Sequence, residues 1–150
     1  MAATTTCANA LNCRVYLDTG AGVLTDISGS SASVEMSPSS QIGDFRVFLS
    51  RWRLRQVGGS DITFVLNTVY TTAADEGYDI IRDWYWGPNW QVARTVQFDI
   101  PNNLANSERI TCEVHLAEIP MTLDPDDPGP IMVTATLMPT GDVVHGTIGS

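Results

Sequence analysis

The sequence predicts a mainly β protein, an antiparallel β-sandwich or squashed barrel with one α-helix and a long protruding loop. Stretches in which apolar and polar residues alternate recur along the 150 residues, and this is the period of a strand with one buried face. Only one segment has apolar residues at helical spacing. Residues 38–59 form a connection far longer than the usual two to about six residues, which indicates a functional segment.

Eight strands are predicted, at residues 14–18, 23–27, 31–36, 61–71, 90–100, 108–119, 131–138 and 143–145. The helix is predicted at residues 72–85, with Thr72 as a candidate N-cap. Tyr78, Ile81 and Tyr85 share one face of it, and the Gly-Pro pair that follows ends it. A polar loop is expected at residues 101–107. One domain of this length can bury a hydrophobic core.

The overall charge limits the classes of partner that this chain is expected to bind. The formal net charge is −9 at pH 7 and the sequence pI is about 4.3. Affinity for nucleic acid comes mostly from basic groups on phosphates, so this chain is not expected to grip DNA. An acidic surface repels DNA and lets it pass without sticking. Charged residues make up only 17% of the chain, below the roughly 25% of soluble domains, which suggests a surface packed against other protein.

The cysteines and the termini carry little signal. The chain has three cysteines, Cys7, Cys13 and Cys112, which is an odd number, and none of them forms a CxxC spacing. Neither a disulfide framework nor a zinc site is therefore predicted. The first residues lack the basic and apolar regions of a signal peptide. No window approaches the roughly 20 apolar residues of a membrane span. We expect a soluble protein made in the cytoplasm, with residues 1–13 as an N-terminal arm.

Patterns for nucleophilic catalysis are weak. His115 and His145 are far apart and lack the acid and hydroxyl partners of a catalytic triad. Ser37, Ser39 and Ser40 lie in a turn-like stretch without a GxSxG elbow, and turn chemistry explains them better. We therefore expect no enzyme activity.

Cofactor and metal patterns are equally weak. Asp124, Asp126 and Asp127 offer ligands that Ca²⁺ prefers, but prolines interrupt the loop and the EF-hand spacing is absent. A solvated or inter-subunit acidic loop is the preferred interpretation. No glycine cluster joins a strand to a helix, so no nucleotide cofactor is predicted. The spacing of carboxylates needed for glycoside hydrolysis is invisible in a sequence. The expectation is no cofactor and no metal.

The segment 42–59, IGDFRVFLSRWRLRQVGG, holds four of the eight arginines of a chain without lysine. With one aspartate its charge is +3, so the other residues carry −12. The cations and aromatics of this segment are compatible with three roles: binding of nucleic acid, a solvated face, or pairing with the acids of an identical subunit. Arginine without lysine, beside aromatics, favours the subunit interface. The predicted inter-subunit contact residues are Asp44, Phe45, Arg46, Phe48, Arg51, Trp52, Arg53 and Arg55.

The order of these parts resembles the major tail tube proteins of long-tailed bacteriophages. The stretch VLTDIS at residues 23–28 leads to SASVEM at residues 31–36, then to the arginine-rich arm and to GSDITF at residues 59–64. That family has a T-D-I-S … V-x-M/L hairpin, a long loop and a G-x-x-D-I-T/S-F/L strand. The likeness covers residues 14–146, and a related fold serves in contractile tails and bacterial secretion tubes.

The resemblance implies a structural virion protein that forms rings, generally hexameric, stacked into a hollow tube through which DNA passes without specific binding. It implies that inner strands of neighbouring subunits line the lumen and that the long loop, residues 38–59, reaches the adjacent ring. The strand at 61–71 is apolar or small on both faces, which indicates cover on both sides. Its lumen candidates are Asp61, Thr63, Val65 and Asn67. The expected partners are other copies and other tail proteins, with no membrane.

Two alternatives remain open. The chain could be another phage structural component, namely a tail terminator, a head–tail joining protein or a capsid decoration protein. It could also be a ligand-binding β-barrel with Trp84, Trp86 and Trp90 as a pocket wall. The family pattern does not explain these three tryptophans, and a subunit interface or a core position is the simplest interpretation of them.

Overall fold

The structure, a computed structural model, describes residues 10–20, 22–49, 51–74, 76–100 and 107–148. Two short 3-10 turns, Ala10–Asn12 and Ser28–Ser30, accompany the main elements. In chain order the main elements are β1 (Arg14–Asp18), β2 (Leu24–Asp26), β3 (Ser31–Phe45), β4 (Leu54–Val69), α1 (Gly77–Trp86), β5 (Arg94–Ile100), β6 (Glu108–Glu118), β7 (Met132–Pro139) and β8 (Val144–Thr147).

The strands form one antiparallel sheet in the order β2-β1-β5-β6-β7-β4-β3, with β8 also pairing to β6. Strand β6 changes partner along one edge: Glu108–Thr111 pairs with β8, whereas Val114 and the residues after it pair with β7. The sheet folds over at this point, so that Phe64 of β4 meets Phe98 of β5 with ring centroids 4.8 Å apart. The predicted antiparallel β-sandwich or squashed barrel with one helix is confirmed.

The core lies between the two halves of the folded sheet, with α1 packed on it. Alternation along the strands supplies its members, because every second side chain points inward. The most deeply buried large side chains are Trp84, Phe64, Phe98, Leu17, Leu66, Ile81 and Leu137. Thr68 is also fully buried and donates its hydroxyl to the Val133 carbonyl at 3.4 Å, which satisfies the polar group.

The helix begins five residues later than predicted. Thr72 does not cap it; Glu76 occupies the N-cap and makes no side-chain capping hydrogen bond. The Gly77 amide instead donates to Ser30 Oγ at 2.9 Å, and a Cβ on Gly77 would lie 2.9 Å from that oxygen. This hydrogen bond to a turn that is distant in sequence takes the place of a local N-cap. The start of the helix was therefore predicted wrongly from the local sequence pattern. The buried face includes Trp84, while Tyr85 is 37% exposed.

The segment predicted as a long loop is instead a β-ribbon. Strands β3 and β4 pair along their whole length, from Ser31↔Thr68 to Phe45↔Leu54. Within residues 38–59, only 46–53 lie outside the two strands. Prolines are tolerated in edge strands, and β3 is the edge of the sheet, so Pro38 does not end it. The loop assignment was wrong, whereas the protrusion itself was predicted correctly.

Trp84 and Trp86 of α1 and Trp90 after it have different environments. Trp84 is in the core, and its indole N–H donates to the Val92 carbonyl at 3.1 Å. Trp86 and Trp90 are 73% and 57% exposed. This hydrogen bond holds a turn after α1, and β5 begins at Arg94. The sequence predicted that this strand begins at Trp90. The N-terminal arm falls largely on residues 1–9 and the polar loop on 101–106, outside the described residues.

We expect Phe98→Ala to destabilise the fold by about 3–5 kcal/mol, because it removes a buried ring and leaves a cavity between the two halves of the sheet. The matched control is Val23→Ala, since Val23 is 61% exposed, and its effect should stay within about 0.5 kcal/mol. Urea unfolding followed by tryptophan fluorescence measures both. Equal destabilisation by the two variants would contradict this description of the core.

Candidate inter-subunit surfaces

The outer parts of β3 and β4 form an exposed ribbon. Strand β4 pairs with β7 only from Phe64 onward, so residues 54–63 have β3 as their ladder partner in the described chain. Ten residues at about 3.3 Å each make an overhang of roughly 30 Å. A two-stranded ribbon by itself is marginally stable in water. This overhang therefore depends on further contacts for its stability.

A bulge occurs midway along this overhang. The register passes from Ser40↔Ser60 to Ile42↔Val57, so two glycines of β4, Gly58 and Gly59, lie opposite the single residue Gln41. A β-bulge bends its strand and increases the local twist. The faces of the ribbon beyond the bulge are therefore turned relative to those of the main sheet.

The charged side of the ribbon has an internal ion-pair cluster. Arg55 lies directly opposite Asp44 and its Nε is 3.2 Å from that carboxylate, while Arg53 Nη1 is 3.9 Å from it. Both arginine side chains are more than two thirds exposed, so these pairs add little stability. Arg51 lies over the Trp52 ring, 4.9 Å from its centroid. Phe45 and Leu54 form the next cross-strand pair and lie on the other side of the ribbon, because side chains alternate along a strand.

The tip of the ribbon is strongly apolar and exposed. Phe48 and Leu49 are fully exposed, and Trp52 is 69% exposed. Leu49 has φ of 69°, a left-handed conformation that is uncommon for a bulky residue. Contiguous apolar exposure of this kind marks an interaction site. All eight predicted contact residues lie on this ribbon or its tip. The same stretch contains five further exposed apolar residues: Ile42, Val47, Leu49, Leu54 and Val57.

The outer face of β4 carries the four lumen candidates. Phe64, Leu66 and Thr68 point into the core, so Asp61, Thr63, Val65 and Asn67 alternate with them on the other side of the sheet. This face is held by a hydrogen-bonded row across three strands. Asn67 donates to Ser33 Oγ at 2.7 Å and accepts from Thr134 Oγ1 at 2.8 Å.

The same face is acidic and free of arginine. Glu35 lies opposite Val65, and Glu118 lies opposite Thr136 in the next strand pair. Residues 31–41, 61–69, 113–118 and 132–139, which form the strands of this face, contain no arginine or lysine. Polyanions are repelled by such a surface rather than bound.

An ion pair that the sequence analysis missed joins β5 to β6. Asp99 is 2% exposed and receives two hydrogen bonds from the Arg109 guanidinium, at 2.8 and 3.1 Å. Hydrogen bonding to this carboxylate raises the pKa of Arg109 above its ordinary value. The two residues are directly opposite in the ladder. Cross-strand register alone brings them together, and ten residues separate them in sequence.

The candidate catalytic side chains are not brought together. His115 is exposed on β6, and His145 of β8 is 3.6 Å from Glu108. Within the described ranges, no group of three or more His, Cys, Asp or Glu side chains could hold a metal ion. No helix among the described residues is long and apolar enough to cross a membrane. The carboxylates of Asp124 and Asp127 accept hydrogen bonds from the backbone N–H groups of Asp126 and Gly129, at 3.0 and 2.9 Å.

The comparisons with known proteins give the fold. No protein-family model and no curated sequence matches this chain. Among solved structures, the SPP1 tail tube has a TM-score of 0.72 at 9% identity, covering 95% of this chain and 81% of its own. A protein of the tail of an empty gene transfer agent particle, with C6 symmetry, scores 0.68 at 15% identity, covering 92% and 98%.

A third similar structure belongs to an extracellular contractile injection system. It is from the PVC sheath/tube terminator in the extended state, with a TM-score of 0.71 at 14% identity, covering 95% of this chain and 99% of that chain. These proteins come from tails and injection systems of phage-like particles. At such low identity, the likeness shows that this chain has their fold.

Burial, helped by the neighbouring Glu113 carboxylate, raises the pKa of the Cys112 thiol to about 11. At pH 8 only about a thousandth of this thiol is ionised, against a quarter or so in an unfolded chain with a pKa near 8.5. We expect iodoacetamide at pH 8 to leave Cys112 unmodified in the native protein and to modify it in urea, as read by peptide mass mapping. Rapid native modification would contradict the burial of this side chain.

Proposed function

We propose that this chain is the repeating subunit of a hollow tail tube in a phage-like particle. Copies join side by side into closed rings, the rings stack, and DNA passes through the lumen without specific binding. The observation that carries the proposal is the roughly 30 Å ribbon with its exposed apolar tip, on a chain that has the fold of tail tube proteins. The protein is then a component of the virion tail, made in the host cytoplasm.

The ribbon supports assembly because its exposed chemistry is that of an interface. Aromatic and arginine side chains are enriched in protein–protein interfaces and dominate their binding energy. Phe45, Phe48, Trp52 and four arginines lie within residues 45–55. The charge balance of the chain, +3 on residues 42–59 and −12 elsewhere, favours another copy of the same acidic chain as the partner over nucleic acid.

The sheet edge supports ring formation. Among the described residues, β3 ends the strand order of the sheet, so one side of this 15-residue strand offers backbone groups to a neighbour. A head-to-tail contact between identical subunits closes into a ring when the rotation is right. The C6 symmetry of the similar gene transfer agent tail favours six subunits.

The outer face of β4 supports a DNA-compatible lumen. It combines hydroxyl and amide groups, which form hydrogen bonds within the sheet, with glutamates and no arginine. A duplex sliding along such a wall meets weak repulsion and no fixed cation. We assign Asp61, Thr63, Val65 and Asn67 to the lumen wall on this basis.

The alternatives differ in what they require. A tail terminator would form one closed ring without stacking. A head–tail joining or decoration protein would bind a capsid. A ligand-binding barrel with the three tryptophans as its wall is disfavoured because Trp84 is in the core. A groove of about 730 Å³ lies elsewhere, between β1, β5 and the start of β3.

We expect the purified protein at high concentration to form rings and tubes in negative-stain electron micrographs. The double variant Phe48→Ser with Leu49→Ser should form only single rings or free subunits. Both side chains are fully exposed, so their loss removes assembly contacts while the folded subunit keeps its stability. Tube length by microscopy and the circular dichroism spectrum of the subunit measure the two effects.

The control for this experiment is Val23→Ser with Val144→Ser, two residues that are each 61% exposed and lie outside the ribbon. Tubes of this variant should match the wild type. Tubes of normal length from the Phe48/Leu49 variant would refute the role of the tip, and a wild-type protein that stays monomeric would refute the proposed function.

We expect Thr63→Arg to convert the tube into one that retains DNA. One added arginine per subunit places cations along the whole lumen wall, and phosphate binding follows the number of such contacts. The measurement is DNA that resists nuclease after incubation with tubes, and the variant should protect at least about tenfold more than the wild type. Val144→Arg, exposed at β8, is the control. Equal protection by both arginine variants would argue against Thr63 on the lumen wall.

A further inference from the structure

The ribbon tip and the connection between β6 and β7 lie at opposite ends of the molecule. The connection, residues 119–131, leads into β7 at Met132, which pairs with Val69 at the last position of β4. Tyr70 N–H also donates to the Ile131 carbonyl at 2.8 Å. The tip follows Phe45 and precedes Leu54, the first residue of β4. The 16 residues of β4 separate the two ends by roughly 50 Å.

The two ends have complementary charges. Residues 42–59 carry +3, and residues 119–131 carry three aspartates without an arginine or lysine, which makes −3. Asp44 pairs with Arg53 and Arg55 within the ribbon. Arg46 and Arg51 lie nearer the tip, beyond the last ladder pair. They are therefore the arginines best placed to meet acids of another molecule.

The two ends also have complementary apolar surfaces. Phe48 and Leu49 are fully exposed at the tip, and Leu123 is 70% exposed in the β6–β7 connection with Met121 37% exposed beside it. Burial of these side chains against each other would remove from water the apolar area that neither end covers within one chain. A contact that combines an apolar centre with paired charges has the composition of a specific interface.

The β6–β7 connection is preorganised for such a contact. Prolines at positions 120, 125, 128 and 130 restrict its backbone. Met121 bridges to Val133, and the Thr134 amide donates to the Pro120 carbonyl at 3.1 Å. The hydrogen bonds to Asp124 and Asp127 each use Oδ1, which leaves Oδ2 of both side chains for a guanidinium. A rigid receptor loses less conformational entropy when it binds.

A competing receptor lies at the end of α1, where Trp86 and Trp90 are exposed. The acid beside it, Asp83, is paired with Arg82 of the same helix, which also pairs with Asp79. An incoming arginine would have to displace Arg82 or share its acids. No cation lies within residues 119–131, so the β6–β7 connection is the better match for the arginines of the tip.

We propose that the ribbon tip of one copy docks on the β6–β7 connection of the next copy along the tube. Arg46 and Arg51 pair with Asp124, Asp126 and Asp127, and Phe48 and Leu49 pack on Leu123. This inference rests on the proposed function, because it names the contact that stacks the rings. The surfaces lie at opposite ends of one chain, so the contact is head-to-tail and repeats in one direction.

Charge reversal and rescue test the contact. Arg46→Asp with Arg51→Asp, and separately Asp126→Arg with Asp127→Arg, should each shorten tubes at least tenfold, because like charges then face each other. The chain with all four substitutions should recover wild-type length, because the reversed tip of each copy meets the reversed connection of the next. Electron microscopy and sedimentation velocity measure length, and circular dichroism checks the fold.

The matched control is Asp83→Arg with Asp142→Arg, which changes the net charge by the same amount at exposed positions elsewhere. Its tubes should keep their length. Normal tubes from the Asp126/Asp127 variant, absence of rescue in the quadruple variant, or loss of tubes in the control would each overturn the docking site while leaving the tube function intact. Absence of tubes in the wild type would refute the proposed function and this inference together.

Oxidative cross-linking gives a second measurement that does not depend on charge. Phe48→Cys combined with Leu123→Cys should yield a ladder of linked subunits on non-reducing gels of the oxidised, concentrated protein. Phe48→Cys combined with Trp90→Cys should yield no more than Phe48→Cys alone. A ladder from the Trp90 pair and none from the Leu123 pair would move the receptor to the end of α1 and overturn the proposal.

Discussion

The pairing of β3 with β4 is the constraint on which the rest of the structure depends. One ladder runs from Ser31↔Thr68, inside the core, to Phe45↔Leu54, far outside it. Strand alternation along this ladder determines which β4 side chains fill the core and which face outward. The same ladder holds the tip away from the body of the protein. A shift of one residue in its register would exchange the two faces of β4.

The strand pattern was readable from the sequence because most strands have one buried face. All eight predicted strands exist among the described residues, and their starts differ from the prediction by at most a few positions, apart from β4 and β5. Pro38 and the pair Gly58–Gly59 indicated a loop, since such residues usually break strands. A sheet edge tolerates the proline and a bulge accommodates the glycines, and neither condition is visible before the pairing is known.

For the candidate surfaces, the sequence predicted only those features that depend on residues close to one another in the chain. The arginines and aromatics of residues 42–59 predicted a contact surface without any structure. The distance between the tip and residues 119–131 required the strand order, because it arises from the pairing of β4 with β7. The same is true of Asp99 and Arg109, whose contact depends on ladder register. Long-range pairing is the information that a single sequence lacks.

The glycine pair at the bulge of the ribbon has a mechanical consequence. A long tube that flexes must stretch on its outer side and compress on its inner side, and rigid arms between rings would resist that strain. Gly58 and Gly59 have no side chains to stiffen the bulge, and a Cβ at Gly59 would meet no atom within 4 Å. In the proposed assembly the bulge is the compliant joint of each arm, so that the elasticity of the tube resides within its connectors.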